Sequence, residues 1–420
     1  MRHALARESG VKGHSETPIK QVFDPPGAQS VAGWKGAVME REKLYRLLRL
    51  GLEKGASDIH FQVGYLPLYR FHGELVELRF KVLTPQDTEE IVRILIENDE
   101  LGGQDLNFNE RDLAFELPGE GRFRVNISRQ RRYFNIVLRV IPLQIKTFAD
   151  LNLPSVLGDI AEVRRGFVLV TGPTGMGKST TLATMLNEVN RQRKSKIVTV
   201  EDPIEFVFTH DRSIITQREI GTDTASFPDA LRAALRQDPD VIMVGEMRDL
   251  ETVDTSLKAA ETGHLVFSTI HTADVASTIN RLVSFFPSED NLQVRARLAD
   301  NLKAVVSLRL LVNKKENGRV PAVEVMRSTR SIQECIKDPA RTHEITEYIG
   351  RGRSERMQTF DQHLLDLLKA NKVTMQTALN AASNPTDLQT KLEMEGLINV
   401  DEAVDQKPET PAEIETDERF

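Results

Sequence analysis

Gly172, Pro173, Thr174, Gly175, Met176, Gly177, Lys178 and Ser179 satisfy G-x-x-x-x-G-K-[ST], a spacing suited to gripping phosphate groups. The glycines let the backbone curl so that successive N–H groups face an anion, and a helix starting at the loop's end adds partial positive charge. Lys178 is placed to reach the β- and γ-phosphates of ATP. Ser179 is placed to bind Mg²⁺ through its hydroxyl, and Thr180 follows in the same turn. The competing reading is a chance match in an ordinary strand–turn–helix unit. At average residue usage that should occur in only about one chain in a hundred of this length. The apolar run Gly166–Thr171 before the loop and the helical pattern from Thr180 to Val189 after it favour nucleotide binding.

Hydrolysis needs, besides the loop, a metal anchor, an oriented water and positive charge near the γ-phosphate. The run Val241–Gly245 ends in Glu246, a carboxylate suited to positioning water. Gly245 stands where a metal-binding Asp usually precedes such a residue, so negative charge must come from elsewhere. Glu201, Asp202 and Glu205, after the run 196–200, supply it, although a plain polar strand end would look the same. His264 and His271 flank the run 265–270. Their odd spacing points them to opposite faces, which argues against a shared metal. Each is either a satisfied structural residue or a γ-phosphate sensor bonded to the strand-end acids. The arginines between 122 and 139 are either solubilising charge or fingers reaching a neighbour's ATP.

Apolar runs at 167–171, 196–200, 241–245 and 265–270 alternate with helical segments, which predicts a mostly parallel sheet covered on both faces. Ligands then sit at the carboxyl ends of the strands. Residues 1–38 lack periodicity and are expected to be a disordered extension, with Met39 an alternative native start. Residues 39–142 read as a small mixed α/β domain. In it, Leu44, Leu47, Leu48 and Leu52 predict a helix ended by Gly55, and Thr84 with Pro85 predict the start of another. A linker at 143–165 leads into the phosphate-loop domain at 166–325. After Asn301 the pattern is mainly helical, with one edge strand near 319–326 and a helical region at 326–395. The stretch 396–420 reads as an acidic disordered tail.

The 420 residues carry a net charge of −7, with 40% hydrophobic and 28% charged side chains, an ordinary globular composition. That charge gives no support to a nucleic-acid translocase, the reading of another class. No apolar run reaches the ~20 residues that span a bilayer, and no signal peptide is evident, so a cytoplasmic location is expected. One cysteine, Cys335, excludes an internal disulfide and a cysteine-cage zinc site within one chain.

Four stretches together resemble the PilT family of secretion-type ATPases, the motors that retract bacterial type IV pili. Thr171–Thr181 matches the family's phosphate loop, and Val200–Glu205 its acidic box. Leu235–Asp249 is similar to its Walker B strand, and Glu261–Thr272 to its histidine box. Gly55–His60 and Gly121–Asn126 fit as well, so the likeness covers about residues 40 to 395. It implies an α/β fold: a RecA-like ATPase domain, a smaller PAS-like N-terminal domain and a helical C-terminal extension. It also implies a homohexameric ring at the inner face of the cytoplasmic membrane that turns an inner-membrane platform protein.

By the same likeness, Glu246 orients water while Glu201 and Glu205 support Mg²⁺ and water. His271 and His264 link the γ-phosphate to movement, and Arg124 and Arg139 complete the site. Two features depart from a primary retraction motor. Where such motors carry Ala-Ile-Arg-Asn-Leu-Ile-Arg-Glu, this chain has Ser331–Asp338, keeping only Ile332 and Ile336. Met357–Gln362 and Ser383–Leu388 look more like the accessory PilU branch, which works beside a sister ATPase. Pilus-assembly and type II secretion ATPases share the core but usually carry a four-cysteine zinc insert, which a single cysteine opposes.

Overall fold

The computed structural model describes residues 39–71, 73–97, 105–141, 144–314 and 318–395. The expected disordered extension (1–38) and acidic tail (396–420) lie outside the described residues. The chain divides after residue 143 into two units.

The first unit contains α1 (Arg41–Lys54), β1 (Asp58–Gln62), β2 (Leu68–Phe71), β3 (Glu74–Glu77), α2 (Pro85–Ile96), β4 (Glu110–Leu117), β5 (Gly121–Gln130) and β6 (Tyr133–Ile141). Its six strands form one antiparallel sheet in the order β3-β2-β1-β6-β5-β4. Gly55 ends α1 in the left-handed region, and Thr84 caps α2 reciprocally with Asp87. Phe123, Val125 and Ile127 alternate inward from β5, and Phe134, Ile136 and Leu138 from β6. They share a core with Leu44 and Leu48 of α1 and Ile91 and Leu95 of α2. β4 carries a weak sequence signal because only Phe115 and Leu117 of it are buried.

The second unit begins with α3 (Val156–Ala161), β7 (Gly166–Thr171), α4 (Lys178–Gln192), β8 (Lys196–Glu201), β9 (Ile214–Glu219), α5 (Phe227–Ala234), β10 (Val241–Val244), α6 (Leu250–Glu261) and β11 (Leu265–Ile270). It continues through α7 (Val275–Val283), α8 (Asn291–Asn301), β12 (Leu302–Val312), β13 (Arg319–Arg327), α9 (Arg330–Lys337), α10 (Ile345–Arg351), α11 (Phe360–Lys369), α12 (Met375–Ala381) and α13 (Pro385–Met394). A seven-stranded sheet runs β13-β12-β7-β11-β10-β8-β9, parallel throughout except where β13 returns against β12. Both faces are covered. Phe167 and Leu169 enter one core with α6 and α7, while Val168 and Val170 enter the other with Leu182 and Leu186 of α4.

Two strands correct the sequence reading. The segment after Asn301 is mainly helical, as expected, but it opens on an unexpected strand: β12 has eleven residues, most of them buried. Lys303, Ser307 and Arg309 interrupt its apolar residues at no regular interval, so no period of two marks a strand covered on both faces. β9 is an edge strand whose polar residues gave no apolar run. The strand expected near 319–326 is indeed an edge, with Pro321 opposite Leu310. Its outer N–H groups are taken up by Gln358 O and by Nδ1 of His363.

Candidate active site

Parallel pairing brings the carboxyl ends of β7, β8, β10 and β11 together. Thr171 ends β7, and Gly172 then turns with φ 143°. A Cβ at Gly172 would lie 2.7 Å from Leu308 O, so a larger residue must displace the neighbouring strand. Gly175 and Gly177 also take positive φ, and α4 starts at Lys178 with no side chain capping its first turn. The first-turn amides of α4 are thereby left for an anion.

Lys178 is buried, and its Nζ donates to Pro173 O at 3.0 Å. Burial holds the ammonium below its ordinary range, opposed by the charges of Glu246 and Glu205. Glu246 follows β10 through Gly245, which fits the narrow gap beside Val200 O, 3.3 Å from where a Cβ would stand. Thr269 Oγ1 donates to Gly245 O at 2.7 Å, and Ser268 Oγ to Val244 O at 2.7 Å, so neighbouring β11 fixes this turn.

His271, just past β11, stands between the two groups. Its Nε2 lies 3.4 Å from Glu246 Oε2, and its Nδ1 lies 3.5 Å from Lys178 Nζ and 3.4 Å from Thr174 Oγ1. A neutral imidazole protonated at Nε2 satisfies both sides: it donates to Glu246 and accepts from Lys178 or Thr174. Arg248 forms an ion pair with the other oxygen of Glu246. A carboxylate, an imidazole and an ammonium are thus chained beside a phosphate-binding loop. That arrangement can hold a triphosphate, orient a water and pass a proton.

The other expected residues are placed differently. His264 precedes β11, and its carbonyl accepts from Gly166 N at the start of β7. Its Nδ1 meets Ala259 O at 2.9 Å. Six strand residues, about 20 Å at the usual rise per residue, separate it from the phosphate loop. His264 therefore does not join the site, a correction to its expected role as a γ-phosphate sensor. Glu201 is buried: Oε1 accepts from Thr199 Oγ1 at 2.7 Å and from Gln217 Nε2 at 3.1 Å. Its carboxyl is held inward, whereas Glu205 is exposed on the following loop. Arg124 and Arg139 lie opposite each other on β5 and β6 of the first unit, where Arg139 Nε donates to Asp58 Oδ1 at 2.9 Å.

Comparison with known proteins agrees with this chemistry. A family model described as type II/IV secretion system protein matches residues 42–394. The chain belongs to that family. It is 41% identical over 339 residues to the type IV pilus retractation ATPase PilT of Pseudomonas aeruginosa, covering 81% of this chain and 98% of that protein. It is 37% identical over 356 residues to the type IV pilus ATPase PilU of the same organism, covering 85% and 92%. The crystal structure of the pilus retraction motor PilT with bound ADP superposes with a TM-score of 0.76 at 42% identity, covering 83% of this chain and 99% of that one. This secretion ATPase is an enzyme that hydrolyses ATP.

Sequence reading missed how this ATPase holds its acidic loop. Gln217 on β9 accepts from Phe208 N at 2.9 Å and donates to Phe206 O at 2.8 Å as well as to Glu201. Glu219, two residues on, accepts from Ile204 N at 3.1 Å. The stretch Ile214–Glu219 has no apolar–polar alternation, so no pattern in the sequence marks this strand.

Burial pushes the Glu201 carboxyl up from 4.5 to about 7, against its hydrogen bonds from Thr199 and Gln217. An acid with a raised folded pKa favours folding while protonated. That contribution is lost as pH climbs from about 4.5 to about 7. The shift corresponds to on the order of 3 kcal/mol. Glu201→Gln is therefore expected to unfold a few degrees higher than the parent at pH 8, and to lose less stability between pH 5 and pH 8. Thermal denaturation at both pH values checks this; parallel pH slopes for parent and variant count against it.

Proposed function

We propose that this ATPase is a ring motor that drives type IV pilus retraction, working as an accessory motor beside a sister ATPase. ATP lies with its phosphates in the 172–179 loop, gripped by the α4 amides and Lys178. Glu246 orients the attacking water, and its proton moves toward the Glu246–His271 pair. His271, touching both Glu246 and the Lys178 ammonium, reports whether the γ-phosphate is present. Ser179, in the first turn of α4, and exposed Glu205, whose charge is felt at Lys178, would hold Mg²⁺ against the phosphates. Bound there, the ion would neutralise charge gathering on the γ-phosphate. Arg124 and Arg139 of a neighbouring subunit would complete the site in a homohexamer. The ring would work at the inner face of the cytoplasmic membrane on an inner-membrane platform protein.

The observation that carries the reading is the Lys178–His271–Glu246 chain at the sheet end, in a protein that matches 98% of PilT's length. The accessory role rests on α9. In Ser331–Asp338, Ile332 and Ile336 are fully buried with Cys335, so what persists of the motif is its packing side. Gln333, Glu334 and Lys337 stand where the retraction motif has Arg, Asn and Arg. Complementation of a retraction-deficient strain tests this. Twitching should return only when the principal motor is also present; full rescue without it would make the chain a primary motor, and no rescue in either background would remove it from retraction.

A further inference from the structure

We propose that Glu324, on edge strand β13, is a positioning residue for ATP hydrolysis: by accepting the N–H of Val275 it fixes the turn that carries His271. Glu324 is buried, and its Oε2 receives Val275 N at 3.0 Å. Val275 is the first residue of α7, four residues after His271. The turn between them is stiff. Asp274 accepts from Ser277 N at 2.7 Å, Thr278 Oγ1 donates to Asp274 O at 2.6 Å, and the Thr272 and Thr278 hydroxyls meet at 2.6 Å. A stiff turn moves as one piece, so a single anchor at its end sets where His271 stands.

The anchor belongs to a row that crosses the sheet just below the site. Glu324 pairs with Ser307, Ser307 with Thr171, and Thr171 with Ile270. Thr171 Oγ1 donates to Ser307 Oγ at 2.8 Å. The next residues along are Gly172 after β7 and His271 after β11. Glu324 therefore ties the histidine turn to the strand on the far side of the phosphate loop. The same strand receives the C-terminal layer, since Val323 N donates to Nδ1 of His363 on α11 at 2.9 Å.

Three charged groups face the Glu324 carboxyl: Asp274 from the start of α7, Arg309 from β12 and Asp361 from α11. His363, on the same helix as Asp361, is held neutral by burial, its pKa lowered to about 4. Burial first, then Asp274 and Asp361, push the carboxyl up to about 7, against the Val275 N–H and Arg309. Its grip on the N–H accordingly strengthens as pH rises through neutrality, because an anion is the better acceptor at a helix start.

This rests on His271 taking part in turnover, and the test separates the two ideas. In the full-length protein, Glu324→Ala is expected to lower kcat by about tenfold, with KM for ATP within about twofold, because the phosphate loop itself is untouched. Glu324→Gln keeps an acceptor oxygen and should restore most of that loss, while lacking the neutral-pH inflection in kcat expected of the parent. Val275→Pro deletes the N–H and exchanges the buried valine side chain for an apolar ring of similar size, at a first helical position where proline is favoured and after an extended Asp274. It should reproduce the Glu324→Ala kinetics without adding to them. The inference is overturned if Glu324→Ala or Val275→Pro keeps parental kcat, or if Gln fails to rescue, while His271→Ala still abolishes turnover. Parental turnover in His271→Ala would instead remove the reading beneath it.

Discussion

Glu246→Gln is expected to lower ATP turnover by about 10²–10⁴-fold while leaving ATP affinity within about twofold. The amide has the same shape as the carboxylate but cannot accept a proton, so a water can bind without being activated. The loss corresponds to about 3–5 kcal/mol of barrier. Affinity is spared because the phosphates are held elsewhere, by Lys178 and the uncapped first turn of α4. Removing a negative charge that faces Lys178 removes one competitor for its ammonium. Phosphate release and equilibrium ATP binding, measured on one preparation, read the two effects separately. Parental turnover would place the catalytic base on another residue.

Lys178→Ala should lose both properties. The ammonium is the buried cation of the loop, with Nζ bonded to Pro173 O at 3.0 Å. Without it, Glu246 and Glu205 face the phosphates unopposed. A charged hydrogen bond of about 1.5–3 kcal/mol disappears, which weakens ATP binding by about 10- to 150-fold. Turnover falls further, because the cation also stabilises charge that grows on the γ-phosphate. The nucleotide-free variant should still melt within a few degrees of the parent. Burial disfavours this ammonium, so it contributes little to folding. A large drop in melting temperature would show that Lys178 serves the fold instead.

The chemistry was legible where one residue type at one spacing has a single physical use. The glycines of the loop, Lys178 and the carboxylate just past β10 are of this kind. What could not be read was register. His264 and His271 look equivalent in sequence, yet only one can lie at the carboxyl end of a strand that both flank. Glu201 and Glu205 are likewise two carboxylates after one strand, and burial alone separates them. Glu201 turns inward toward Thr199 and Gln217, and Glu205 is left outside. β9 and β12 escaped for different reasons, one too polar at an edge and the other, just inside edge strand β13, apolar without a period of two. With β9 hidden, Gln217 had no visible reason to matter; with β12 hidden, neither did Ser307 beneath the loop.

The central claim is that gripping ATP and cutting it belong to different side chains of one strand-end site. Calorimetric titration of ATP with Mg²⁺ into Glu246→Gln and Lys178→Ala, side by side, tests it most directly. The account predicts near-parental affinity in the first and a loss of about 10- to 150-fold in the second. Equal affinities in the two variants, or tight binding by Lys178→Ala, would contradict it.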